Sequence, residues 1–139
     1  MGSVFVAKYA SVAMSKNKPN EIGERGVIIF VSSIQADEGP AGMVAYAMTK
    51  GGINGMVMPM ARDLGRFGIR VAALQPGVFE TAMSDLIPDE YMKLTKKNTP
   101  QSRIGKAKEF AHMVGAMVEN SYINGVALKL DGAQIVANL

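Results

Sequence analysis

The chain has 139 residues, 48% of them hydrophobic and 19% charged, with a formal net charge of +3. That is enough apolar material for a buried core, which argues against disorder, and the small, scattered charge gives no footprint for nucleic acid or a membrane surface. Without cysteines, disulfides, thiolate metal sites and a cysteine nucleophile are excluded.

Residues 2–17 suit a helix, with Val4, Phe5, Tyr9, Val12 and Ala13 at helical spacing. The N-terminal stretch lacks the charged-then-apolar order and cleavage site of a secretory signal, so a secreted protein is not expected. KNKPNEIGERG is polar and glycine-punctuated and reads as a loop. Val27–Val31, VIIFV, is an unbroken apolar run rich in β-branched residues, as in a strand of a parallel sheet covered on both faces. A loop from Ser32 to Gly42 leads to a helix over 43–64, ended by Gly65 and Gly68, with Pro59 expected to bend it. IRVAAL, 69–74, is a second buried strand, closed by Pro76 and Gly77. Residues 78–105 are irregular with short helical pieces, too long for a simple connection, and read as a substrate lid. Residues 107–119 form an amphipathic helix with Phe110, Val114, Met117 and Val118 on one face. GVALKL, 125–130, is a third strand. This alternation predicts an α/β fold of right-handed βαβ units with a parallel sheet. Ligands of such sheets bind beyond the carboxyl ends of the strands. Three segments leave those ends: 32–42, 75–103 and the tail after Leu130.

Tyr46 and Lys50 lie four apart on a helix, so their side chains share a face. A phenol, with a pKa of about 10, is a poor base at neutral pH, and a neighbouring ammonium favours the phenolate. Ser33, thirteen residues before Tyr46, has a hydroxyl that could donate to an oxygen on which charge develops. These parts suit proton transfer at an alcohol or carbonyl oxygen, and the accompanying hydride has to come from a cofactor, because no side chain donates one. Each part alone has an ordinary reading: a surface Tyr-x-x-x-Lys, a capping serine, a Pro-Gly turn. The combination is the specific signal. His112, the single histidine, lies off the apolar face of its helix and reads as solvated. No His/Asp/Glu group has metal-ligand spacing.

This combination resembles the short-chain dehydrogenase/reductase family along nearly the whole chain. The matching segments are VIIFVSS, YAMTKGG (46–52), GIRVAALQPG (68–77) with Thr81 four residues on, and NGVALKLDGA (124–133). Finer features, among them GGINGMVMPMARDLGRFGIRV and the SRIG turn, resemble a mitochondrial subgroup acting on 3-hydroxyacyl-CoA or hydroxysteroids. The resemblance implies the C-terminal part of a Rossmann-type doubly wound sheet and an NAD-dependent enzyme interconverting a secondary alcohol and a ketone. Tyr46 would be the acid–base residue. Lys50 would hold the nicotinamide ribose, Tyr46 would also contact the cofactor, and Ser33 would orient the substrate oxygen. Pro76, Gly77, Val78 and Thr81 would line the nicotinamide. Gln35 and Met83 would join Ser33 and Tyr46 against substrate. Lys93, Lys96 and Lys97 read as a solvated face, with a CoA phosphate contact as the sharper alternative. The resemblance also implies a homo-oligomer, a tetramer in the intact family, with helices 2–17 and 43–64 in its interface, and a mitochondrial or cytoplasmic location.

One departure is large. Nothing here follows a strand with the family's glycine-rich pyrophosphate turn, and the acidic ribose residue and the Asn-Ala-Gly turn are missing. The expectation is therefore a single partial domain over 1–139, the catalytic half without its dinucleotide-binding half. The apolar strand 27–31 would then lack a neighbour on one side, an edge that invites pairing. The alternative is a non-catalytic chain acting as an oligomerisation or interaction partner.

Overall fold

Val71, Ala73 and Leu74 are completely buried, and the strand that carries them organises the molecule. In the computed structural model, which describes residues 2–136, that strand is β2 (Ile69–Pro76), at the centre of a three-stranded sheet. β1 (Gly26–Val31) and β3 (Ala127–Leu130) flank it, and both pair with it in parallel. The register sets Gly26 opposite Ile69 and Val31 opposite Leu74, then Ala73 opposite Ala127. Around the sheet run α1 (Gly2–Met14), α2 (Val44–Gly65), α3 (Asp89–Lys97) and α4 (Ala107–Glu119).

Successive residues of a strand face opposite ways, so β2 needs apolar residues on both sides. Ile69, Val71 and Ala73, with Ile28 and Phe30 of β1, pack beneath α1 and α2 against Ala7, Val57 and Ala61. Ala72 and Leu74 face the other layer, meeting Met117 and the partly buried Ile29, Phe110 and Val114. Each large aliphatic side chain buried in this way contributes about 1.5–3 kcal/mol. The expected α/β architecture is thus the observed one, with helices on both faces of a parallel sheet.

The elements differ from the sequence reading in instructive ways. α1 stops at Met14, and its packed positions are Ala7 and Met14. The apolar residues expected to define its face, Val4, Phe5, Tyr9 and Val12, are 46–70% exposed. The sheet offers this helix only a narrow contact, which small Ala7 fits. β3 begins two residues later than expected because Gly125 has a left-handed φ of 69°. Its N–H nevertheless reaches the Val71 carbonyl at 2.7 Å. α2 runs unbroken through Pro59. Val118 is 48% exposed, so Met117 alone fills the end of the α4 face.

Two turns fix how the layers join. The polar loop after α1 is organised by Asn20, whose side-chain oxygen accepts from the Ile22 and Glu24 N–H groups. Gly68 joins α2 to β2 with φ 70°, and its space is bounded by the Gly23 carbonyl, which any Cβ would strike. Only glycine meets both conditions. β1 pairs with β2 alone, and its other edge carries no strand among the described residues.

Residues 78–105 leave and rejoin the body at one place. The Gly105 N–H donates to the Val78 carbonyl at 2.9 Å, and the Glu80 N–H to the Gly105 carbonyl at 2.8 Å. Phe79 covers Gly105 and meets Phe110 edge-on at 5.7 Å between ring centroids. The segment between is short-helical as expected, with a 3-10 turn at Ser84–Leu86 followed by α3.

Candidate active site

The carboxyl ends of β1 and β2 bring the predicted residues to one edge of the sheet. Ser32 and Ser33 leave β1 directly, and both are buried. The Ser32 hydroxyl donates to the Lys50 carbonyl at 3.1 Å, which stitches the strand end to α2. Ser33 starts a 3-10 turn, Ile34–Ala36, and its Oγ accepts the Gln35 N–H at 3.2 Å. The capping role that a serine at this position suggests is therefore realised. It leaves the hydroxyl's proton free to donate elsewhere.

α2 opens at Val44, which places Tyr46 in its first turn and Lys50 one turn on. The Lys50 Nζ donates to the Val31 carbonyl at 3.0 Å and stands 5.7 Å from the centroid of the Tyr46 ring. One strand carbonyl thus holds the ammonium within cation–π range of the phenol. Tyr46 remains partly open to solvent, 40% exposed.

Pro76, Gly77 and Val78 follow at the end of β2. A Cβ on Gly77 would lie 3.0 Å from the Asp131 Cβ, so glycine is needed for the tail after β3 to cross here. The Val78 N–H has only a long contact, 3.4 Å to the Gln134 side-chain oxygen, and can still donate to a ligand. Thr81 is exposed beside Ser84, which returns its hydroxyl to the Thr81 backbone. Gln35 is half-buried, and its Oε1 has no hydrogen-bond partner. Met83 does not join the group: it is 78% exposed and lines neither cleft of the 78–105 segment. It immediately precedes the 3-10 turn Ser84–Leu86 and is open to solvent. Lys93, Lys96 and Lys97 are exposed on α3. Lys96 shares its cleft with Glu80, Asp85 and Asp89, a mixed rather than a basic lining.

A cavity of about 220 Å³ lies between the base of the 78–105 segment and the tail, lined in part by Val78, Phe79, Arg103, Glu109 and Gln134. Ser33, Tyr46 and Lys50 do not line it; Ser33 follows β1, and the other two stand on the start of α2.

The comparisons with known proteins bear on this arrangement. The family model described as enoyl-(acyl carrier protein) reductase matches residues 1–133. The chain belongs to the short-chain dehydrogenase/reductase family. It is 42% identical over 134 residues to the 3-hydroxyacyl-CoA dehydrogenase type-2 of Bos taurus, covering 96% of this chain and 51% of that one. The crystal structure of 3-hydroxyacyl-CoA dehydrogenase type-2 from Mycobacterium avium superposes with a TM-score of 0.94 at 35% identity, over 99% of this chain and 54% of that one. A 7α-hydroxysteroid dehydrogenase complexed with NADH and 7-oxo glycochenodeoxycholic acid gives 0.84 at 26% identity, over 96% and 51%. The chain spans about half the length of the curated relatives it matches.

Two features of this dehydrogenase/reductase chain escaped the sequence reading. Arg70 and Gln75 are the polar residues of an otherwise apolar strand, IRVAALQP, and both are buried. A buried polar residue in such a strand signals a specific partner. Arg70 finds Glu24 and the end of α4, and Gln75 finds the Ser33 turn.

Electrostatics distinguishes the start of α4. Arg103 pairs with Glu109 through two 2.8 Å contacts, and the Lys106 N–H donates to the same carboxylate at 2.7 Å. The Arg103 hydrogen bond, then the Lys106 N–H, lower the Glu109 pKa from 4.5 to about 2. A depressed carboxylate pKa contributes stability that is complete above the unfolded value and lost as pH falls through the folded one. Acidification from pH 4.5 to about 2 should therefore loosen the first turn of α4. Hydrogen exchange at the Glu109 and Phe110 amides, compared with Glu109→Gln, checks this. The variant should already be loose at pH 6 and show a flatter acid response.

Proposed function

We propose that this chain carries the catalytic centre of a nicotinamide-dependent oxidoreductase that interconverts a secondary alcohol and a ketone. The observation that carries the reading is the Lys50 ammonium, held by the Val31 carbonyl beside the Tyr46 ring at the strand end where Ser33 emerges. Ser33 donates to the substrate oxygen and fixes it. The Tyr46 phenol exchanges a proton with that oxygen, receiving it in oxidation and returning it in reduction. Lys50 stands within cation–π range of the ring and offers its remaining N–H groups to the ribose. The bound nicotinamide supplies or accepts the hydride.

The residues present fit the nicotinamide end of the cofactor. The weakly held Val78 N–H suits a carboxamide oxygen, and Thr81 stands three residues on. The 139 residues contain no glycine-rich turn for a pyrophosphate. NAD is the preferred form and 3-hydroxyacyl-CoA the preferred substrate class, on the strength of the type-2 dehydrogenase relatives, with a hydroxysteroid next. The location proposed is the one the family resemblance implies, mitochondrial or cytoplasmic. Self-association through α1 and α2 has support in the exposed Phe5, Tyr9, Val12 and Met48. The 78–105 segment, closed at its base, acts as the substrate lid.

Titration with NADH, followed by its fluorescence, tests the reading in two steps. The 139-residue chain alone should bind weakly or not at all. Mixed with the nucleotide-binding half of a family member, it should bind saturably and oxidise a 3-hydroxyacyl-CoA with NAD. A folded mixture that binds NADH without turning over any secondary alcohol would favour a non-catalytic, interaction role.

A further inference from the structure

Ser33 has to stand at a fixed distance from Tyr46, yet it belongs to a loop and Tyr46 to a helix. Besides the Ser32 and Lys50 bonds at the strand end, they are linked by a carboxylate that neither the sequence motif nor the family likeness assigns. Asp37 closes the 3-10 turn that Ser33 opens. Its Oδ2 accepts from the Gln75 Nε2 at 2.8 Å, and its Oδ1 accepts from the Asn54 Nδ2 at 3.2 Å. Gln75 is 3% exposed on β2, and the same Nε2 leans towards the Ser33 carbonyl at 3.4 Å. Asn54 completes the series Tyr46, Lys50, Asn54 along one face of α2, each four residues from the last. Next to Asp37, Glu38 forms an ion pair with Lys129 of β3. The turn that presents Ser33 is thus tied to β2, α2 and β3 within two consecutive residues.

The chemistry fits a positioning role better than a surface ion pair. Both partners of Asp37 are neutral amides, one of them in the core. A carboxylate only accepts, so it dictates which way each amide points. Removing it leaves the buried Gln75 Nε2 with only the long Ser33 contact.

We infer that Asp37, with Gln75 and Asn54, is a positioning group that holds the Ser33 turn in register with the Tyr46–Lys50 face of α2. The inference deepens the proposed function and rests on it for its catalytic consequence.

Asp37→Ala in the full chain tests it by amide hydrogen exchange. The Gln35 and Ala36 amides, which bond to the Ser33 Oγ and carbonyl, should exchange about tenfold faster, while α4 amides from Val114 to Met117 stay unchanged. Asp37→Asn keeps one acceptor and should recover part of the protection. Gln75→Ala should act like Asp37→Ala, and the double variant should add little. In the mixture with a nucleotide-binding half, kcat should fall about tenfold with KM for NADH unchanged. Unchanged exchange at Gln35 and Ala36, or equal acceleration in α4, overturns the inference. A wild-type mixture without turnover counts against the proposed function instead, while the exchange pattern still decides the role of Asp37.

Discussion

Tyr46→Phe should lower turnover in the mixture with a nucleotide-binding half by roughly 10²–10⁴-fold, the range for a lost general acid–base group. The change removes one oxygen and leaves the ring. The Lys50 Nζ keeps its 3.0 Å bond to the Val31 carbonyl and its place beside the aromatic face. The fold should not notice, because the ring that the variant keeps is the part of Tyr46 that stands beside Lys50. NADH binding should also persist, since the ribose contacts assigned to Lys50 remain. Steady-state kinetics beside an NADH titration separates the two effects. A Phe variant with half the wild-type rate would remove Tyr46 from the mechanism. Lys50→Ala should differ by weakening both binding and rate, because the proposed mechanism gives one ammonium both tasks.

The largest stability effect is expected at Arg70. Its guanidinium uses all five N–H groups: Nε and Nη2 clasp the Glu24 carboxylate at 2.8 and 3.1 Å, Nη1 reaches the Met117 and Ile123 carbonyls at 2.9 Å each, and Nη2 also reaches the Val118 carbonyl at 2.8 Å. The two side chains are only 7% and 17% exposed. The last turn of an α-helix leaves carbonyls without partners, and here a buried arginine caps α4 and ties it to the loop before β1. Arg70→Met fills similar space but strands the Glu24 charge and three carbonyls. It should cost about 3–5 kcal/mol, against the 5–15 kcal/mol typical of a whole domain. Arg70→Lys should recover only part, because an ammonium has three donors and no planar fork. Urea denaturation of the three proteins checks the ranking. A midpoint for Arg70→Met within error of wild type would mean the network is dispensable.

The sequence carried the sheet because its strands are buried on both faces. VIIFV and IRVAAL are apolar without alternation, whereas a strand with one face in water would alternate apolar with polar residues. It also carried Ser33, Tyr46 and Lys50, since the spacing of four on α2 and the position of Ser33 at a strand end depend only on local geometry. It did not carry which face of α1 packs. Val4, Phe5 and Tyr9 have the stronger apolar pattern, yet Ala7 and Met14 make the contact, because the shape of the sheet beneath decides. Met83 was drawn to the site by its chemistry, and the structure leaves it in solvent just before a 3-10 turn.

What the sequence alone determined, then, is the order of elements and the placing of Ser33, Tyr46 and Lys50 at one strand end, because periodicity and i,i+4 spacing are properties of neighbours along the chain. Only the tertiary structure decided how those groups are held. Gln75 and Asp37 lie 38 residues apart, and Arg70 and Val118 lie 48 apart. Contacts of that span arise from the parallel register of β1 on β2 and the packing of α4 across the sheet, and nothing local in the chain records them.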